Sequence, residues 1–185
     1  RGLGDVYKRQ GYTTITATSS DIYYPDTSDG FMYSAYAEVT DFVRNNGVLG
    51  TYTLADLAAA QGSGGSTGFY GGWGMVVIYS NNQMNLRDIT LFDGHAYVAG
   101  GVTADFTIPV TGFNSTQNGP VNVKLGVIAG EGDRSIPGDF FQIRDAADQN
   151  WVDLSHGGNG TNNFFNSSVF TGGNLRNPDL LNNTG

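Results

Sequence analysis

Ala104, Phe106, Ile108 and Val110 alternate with polar or turn-forming neighbours, and Val121, Val123, Leu125 and Val127 do the same shortly afterwards. A period of two places every second side chain on one face of an extended strand, so each run offers one apolar face to a core. Phe31, Tyr33, Ala35, Ala37 and Val39 repeat the pattern. Residues 73–79 are apolar on both faces, as a strand covered from both sides would be. Residues 86–98 read as a strand pair or bent strand around Asp93-Gly94, a dipeptide that favours hairpins. Shorter runs at 51–57, 140–144, 151–154 and 164–170 complete about nine strands, at spacings near the roughly 8–12 residues of sandwiches and barrels. One helical signal interrupts them: residues 40–47, with Thr40 placed to cap and Gly47 to stop the helix. Parallel strands need long helical crossovers, and no helical pattern of that length exists here. The pattern predicts an all-β fold, an antiparallel, jelly-roll-like β-sandwich with one short helix. Its predicted core is Trp73, Val76, Ile78, Leu91, Phe106, Ile108, Val123, Leu125, Val127 and Phe165.

Charge narrows the partners. Nine Lys and Arg stand against 17 Asp and Glu, a net charge of −8. Nucleic-acid and anionic-lipid binding both rest on clustered cations, which are absent, so neither nucleic acid nor direct membrane binding is expected. The longest apolar run, Met75-Val76-Val77-Ile78-Tyr79, is far shorter than the roughly 20 residues of a spanning helix. There is no cysteine, hence no disulfide and no thiolate metal site. Charged residues make up only 14% of the chain and glycine is abundant at 28 residues, so its polarity comes largely from the amides, hydroxyls and glycines that serve turns and strand surfaces.

Catalytic signals are weak. Gly64-Gly65-Ser66-Thr67-Gly68 fits G-x-S-x-G, but a nucleophile elbow needs a strand before the serine and a helix after it. Here a glycine-serine loop precedes and an aromatic strand follows. His95 and His156 are the only histidines; both look like solvated loop residues, and no H-x-x-x-H spacing exists to hold zinc. Glu38 and Glu131, the only glutamates, would have to face one another across a cleft to act as a glycosidase pair. No catalytic residues are assigned.

The densest polar stretch is residues 130–139. Glu131, Asp133 and Asp139 could supply the oxygen ligands calcium prefers, but the spacing does not fit D-x-[DN]-x-[DN]-G and Arg134 sits among the acids. A structural ion pair of Arg134 with Glu131 and Asp133 is the simpler reading, because a planar guanidinium pairs carboxylates in two-pronged fashion. Calcium at Glu131, Asp133 and Asp139 is the alternative; no other cofactor is expected. Tyr23, Tyr24 and Tyr70 could stack on sugar rings, whereas burial in a strand accounts better for Trp73.

Residues 1–10 depart from the pattern. Leu3 and Val6 are their only aliphatics and do not alternate in a strand's period. Written as codons, Asp5-Val6-Tyr7-Lys8-Arg9-Gln10 can read GAT GTG TAT AAG AGA CAG, which resembles the mosaic end of the transposon used to fragment DNA for sequencing. Residues 1–10 are therefore expected to be a non-native artefact that packs on nothing. Residues 11–185 are expected to be a single incomplete β-sandwich domain from inside a longer chain, truncated at both ends. Setting aside Arg1, Lys8, Arg9 and Asp5 leaves six cations against sixteen acids, a net of −10.

Phe69-Tyr70-Gly71-Gly72-Trp73-Gly74-Met75-Val76-Val77-Ile78-Tyr79 and Leu86-Arg87-Asp88-Ile89-Thr90-Leu91-Phe92-Asp93-Gly94 resemble a domain of large bacterial cell-surface, adhesin-like repeat proteins. In that family a GW-[AS]-L-V-V-V-Y strand precedes LRN-[VIL]-T-[VL]-FDG. Glu131-Gly132-Asp133-Arg134-Ser135-Ile136-Pro137-Gly138-Asp139 is similar to its EGDRG-x-x-GD loop, Asn162-Asn163-Phe164-Phe165-Asn166-Ser167 to NNFFNS, and Arg176-Asn177-Pro178 to RNP. The likeness runs from about residue 36 to residue 185 and keeps the order of the motifs. It implies a non-catalytic module of a secreted or cell-surface bacterial protein, in adhesion or as a structural spacer. Its partners would be other domains of the same long chain, with a surface glycan or protein as a further partner. Carbohydrate binding is the alternative, and a sandwich-fold glycoside hydrolase the third reading.

Overall fold

The computed structural model describes the backbone of residues 2–7, and residues 11–24, 32–47, 49–59, 61–63, 69, 71–101, 103–130, 132, 134–145, 147 and 149–176 in full. In chain order the elements are β1 (Gly2–Tyr7), β2 (Tyr12–Thr16), a 3-10 turn (Ser19–Asp21), β3 (Ile22–Tyr23), β4 (Ser34–Ala35), α1 (Thr40–Asn46), β5 (Thr53–Ala55), β6 (Gln142–Arg144), β7 (Trp151–Asp153), β8 (Phe170–Thr171) and β9 (Asn174–Leu175). The predicted class holds at this level: mostly strands, one short helix, and small sheets whose pairs are antiparallel. The chain divides into two compact units, Arg1–Ala60 with Ile78–Asn122, and Gln61–Val77 with Val123–Gly185.

In the first unit β1 is the middle strand of a three-stranded sheet, between β2 and β5. Asp5 faces Thr14 on one side and Ala55 on the other, and the register against β2 shifts between Gly2 and Gly4. The expectation that residues 1–10 would pair with nothing is overturned. Pairing is a property of backbone groups, which every residue carries, so an irregular side-chain pattern does not prevent it. The run Thr13-Thr14-Ile15-Thr16 is β-branched throughout and suits a pleated surface.

The helix forms where expected but is capped differently. Thr40 is its first residue, not its cap; the Glu38 carboxylate takes the Thr40 N–H at 2.8 Å and the Thr40 hydroxyl as well. Gly47, at φ +86°, ends it. Phe42 meets Tyr52 edge to face at 6.2 Å, and the Tyr52 hydroxyl donates to the Gly47 carbonyl at 2.7 Å.

In the second unit β6 and β7 form a hairpin, Arg144 opposite Trp151, with the guanidinium 4.4 Å from the indole centroid. Asp145 organises its loop by accepting from the N–H groups of Ala147 and Gln149 and from Asn150 Nδ2. The Asn150 bond comes first among the causes that hold the Asp145 carboxyl below its ordinary pKa. Strands β8 and β9 turn through Gly172 and Gly173, both at positive φ (+57° and +79°), the conformation of a type I′ hairpin and one that glycine adopts without strain.

The predicted core is corrected. Trp73, Val76, Ile78, Leu91, Phe106, Ile108, Val123, Leu125 and Val127 are all exposed, between 47% and 63%; only Phe165 is partly covered. Residues 71–98 and 104–130 contain no strand, so the alternation there has no hydrogen-bonded neighbour. Alternation supplies a face; a strand also needs a partner in register, and among the described residues these runs have none. The strand expected over 31–39 is likewise confined, among described residues, to Ser34–Ala35, and that over 164–170 contributes only Phe170. Among the described residues Ala17 and Asn159 are the buried ones, at 6% and 8% exposure.

Candidate functional site

Two clusters bring together residues that the sequence singles out. The first lies in the second unit, where residues 132–139 meet 162–167. Gly138 N–H donates to the Asn162 carbonyl at 3.0 Å, Asn163 Nδ2 to the Arg134 carbonyl at 3.3 Å, and Phe165 N–H to Asp139 Oδ1 at 2.8 Å. The Ser167 hydroxyl donates to the Gly132 carbonyl. Gly132 is needed sterically, since a Cβ there would collide with the Phe165 carbonyl. Phe141, Phe164 and Phe165 pack against one another at centroid separations of 5.1–6.1 Å. Beneath them Asn159 holds the segment, its Nδ2 within bonding distance of the Phe164 carbonyl, Asn166 Oδ1 and Ser168 Oγ.

The geometry shows what holds one of the predicted ligands. One oxygen of Asp139 accepts a backbone N–H and so closes the loop on its own chain. Glu131 and Asp133 lie outside the described residues, as does Tyr70, so the ion pair of Arg134 with them falls there too. Among the described residues no three His, Cys, Asp or Glu side chains converge in a way that could hold a metal. The contacts of Asn159, Ser167 and Gly132 escaped the sequence reading; the only signal was the density of Asn, Ser and Gly around two phenylalanines.

The second cluster belongs to the first unit. Tyr23 on β3 donates its hydroxyl to Asp93 at 3.3 Å, and Ser34, its opposite on β4, has Oγ 2.6 Å from His95 Nδ1. Asp93 comes first in raising the Tyr23 pKa. Tyr36 donates to Glu38 Oε2 at 3.2 Å, and that carboxylate raises its pKa in turn. Tyr24 is 62% exposed and stands 6.2 Å from Tyr33, tilted by 42°. The view of His95 as a solvated loop residue is corrected: it is part-buried, hydrogen-bonded to Ser34, and held below its ordinary pKa by burial. His156 remains exposed, its Nε2 accepting from the Gly173 N–H at 3.1 Å.

The hydroxyl of Thr40, then its N–H, holds Glu38 below the ordinary carboxylate range, which favours the ionised form, whereas a general acid needs the opposite shift. Ser34 and His95 touch, and among the described residues His95 Nε2 is buried with no hydrogen-bond partner. No protein-family model matches the chain, and no curated protein or solved structure does either.

Proposed function

We propose that the chain is a non-catalytic module of a secreted or cell-surface bacterial protein, acting in adhesion or as a structural spacer between other domains of a longer chain. One observation carries this reading. Residues 132–139, the stretch most like a site in the sequence, direct Asp139, Gly138 and the Gly132 and Arg134 carbonyls at their own chain. The order of motifs shared with adhesin-like surface proteins and the acidic composition support it. The finer architecture proposed is an antiparallel, jelly-roll-like sandwich, because pairing residues 73–79 with other alternating runs would cover large side chains, each contributing roughly 1.5–3 kcal/mol on burial. Amide exchange tests the architecture: slow exchange at alternate residues of 121–127 is expected, and exchange at unprotected rates throughout would overturn it. A panel of glycoside and ester substrates tests the function; turnover above the blank that disappears in Glu38→Gln or Ser34→Ala would overturn the non-catalytic reading.

Carbohydrate binding is the second reading, favoured by the exposed Tyr24 ring beside Tyr33. Such a ring offers an apolar face on which a pyranose can stack. A glycan array decides it: retained glycans that are lost with Tyr24→Ala support binding, and an empty array removes it.

A further inference from the structure

Residues 93 and 95 are tied to the β3–β4 pair at two points, by sequence separations of 70 and 61. Tyr23 and Ser34 face each other across the pair, and each reaches one residue of the same short segment: Tyr23 reaches Asp93, Ser34 reaches His95. One cross-strand rung therefore clamps one three-residue segment. The imidazole between them is part-buried, and its Nε2 is buried without a partner. Buried polar atoms without partners are uncommon and call for a reason. A neutral imidazole can leave one nitrogen unpaired at moderate cost. A doubly protonated one cannot, because its charge and its second N–H then sit where nothing accepts them.

Among the described residues the titratable and charged groups facing this neighbourhood are few. Tyr23 lies on β3 and Asp21 just before it; Ser34 and Ala35 of β4 carry none; Tyr36 and Glu38 follow β4; Asp93 lies two residues before His95. Asp93 is engaged by Tyr23 and Glu38 by Tyr36 and Thr40. Burial is what acts on His95.

We propose that the Tyr23–Ser34 rung and the 93–95 segment form an acid-sensitive latch, closed while His95 is neutral and released when the imidazole takes up a proton. The direction follows from linkage. Closure lowers the histidine's proton affinity, so above the ordinary value of 6.5 neither state is protonated and closure carries no penalty. As pH falls through that value the open state binds the proton first, and the closed state loses ground until the pH drops below its own lower pKa. The ratio of closed to open can fall by at most about elevenfold at pH 5.5, a pH still above the ordinary carboxylate range.

Amide exchange and proton resonance on the full 185-residue chain test this. Tyr36 N–H donates to the Asp21 carbonyl at 3.0 Å beside the latch, and Val43 N–H to the Val39 carbonyl at 2.9 Å within the helix. From pH 7.5 to 5.5, after correction for intrinsic rates, Tyr36 protection should fall by about three- to tenfold. Val43 protection should change by less than about twofold, a margin set by the few tenths of a kcal/mol that separate independent sites. His95→Gln, which keeps polarity but does not titrate, should remove the change. With only two histidines, His156→Gln assigns the His95 ring resonance in the otherwise native chain, so the titration is readable even where His95→Gln fails to fold. A His95 titration midpoint at or above 6.5, flat Tyr36 protection, or the same fall in a folded His95→Gln chain would each overturn the latch.

Discussion

Residues 73–79 and residues 157–170 make opposite use of their composition. The first is the most apolar stretch of the chain, yet Trp73, Val76, Val77, Ile78 and Tyr79 are between 49% and 69% exposed. The second is built from glycine, asparagine and serine around three phenylalanines, and it contains the buried Asn159. Covering a residue requires neighbours, and here they come from short-range turn chemistry. His156 and Asn159 exchange backbone bonds at 3.0 Å, and Gly157 and Gly158 leave room for the Phe170 ring, which a Cβ at Gly158 would approach to 2.5 Å. Hydrophobicity measures what a segment would gain from cover; it does not provide the cover.

Substitutions can break that contrast, and the largest effect is expected at Gly132. Gly132→Ala forces a Cβ into the Phe165 carbonyl, a backbone atom that cannot swing aside. A loss of about 3 kcal/mol in urea unfolding is expected, with weaker protection across residues 159–168. A loss below about 0.5 kcal/mol, the ordinary range for an exposed site, would show that the glycine-rich stretch is no better packed than the apolar one.

Asn159→Ala comes next. It removes the donor shared among the Phe164 carbonyl, Asn166 and Ser168 and strands acceptors in a covered site, so about 2 kcal/mol should be lost. Asp139→Ala, which deletes the acceptor for Phe165 N–H, should cost about 1 kcal/mol in the same assay. Asp139→Asn keeps that oxygen, so most of the loss should be recovered. If calcium raises the melting temperature and Asp139→Asn abolishes the rise, the carboxylate is a metal ligand and not a loop clamp.

The smallest effects belong to exposed side chains. Arg44→Ala breaks the 2.6 Å contact with Asp41, but both side chains are mostly in water, and surface pairs of this kind contribute about 0–1 kcal/mol. Leu86→Ser should change stability by no more than about 0.5 kcal/mol, since Leu86 is fully exposed. A cost of 2 kcal/mol or more, the range of a core leucine, would place residues near 86 under cover and erase the contrast between the two regions.

Several features were readable because local chemistry dictates them. The helix at Thr40–Asn46 follows from a short helical run stopped by a glycine, and β5, β6 and β7 fall within runs of strand-forming residues. Three others were not. The cap comes from Glu38 because the helix starts at Thr40 itself, whose N–H and hydroxyl both donate to that carboxylate, and composition does not report where the first turn closes. His95 looked like a loop residue because its partner, Ser34, lies 61 positions away. Gly2–Tyr7 looked irregular because its pairing uses backbone groups and the register of two other strands.

By itself the sequence determined the strand-rich class, the single short helix and the acidic surface, because these depend on period, charge and backbone freedom within a few residues. Only the tertiary structure decided which runs found partners, that Asp139 closes a loop on Phe165, and that Tyr23 and Ser34 hold residues 93 and 95. Those outcomes depend on which distant segment arrives at hydrogen-bonding distance, and a residue's type does not specify its long-range neighbour.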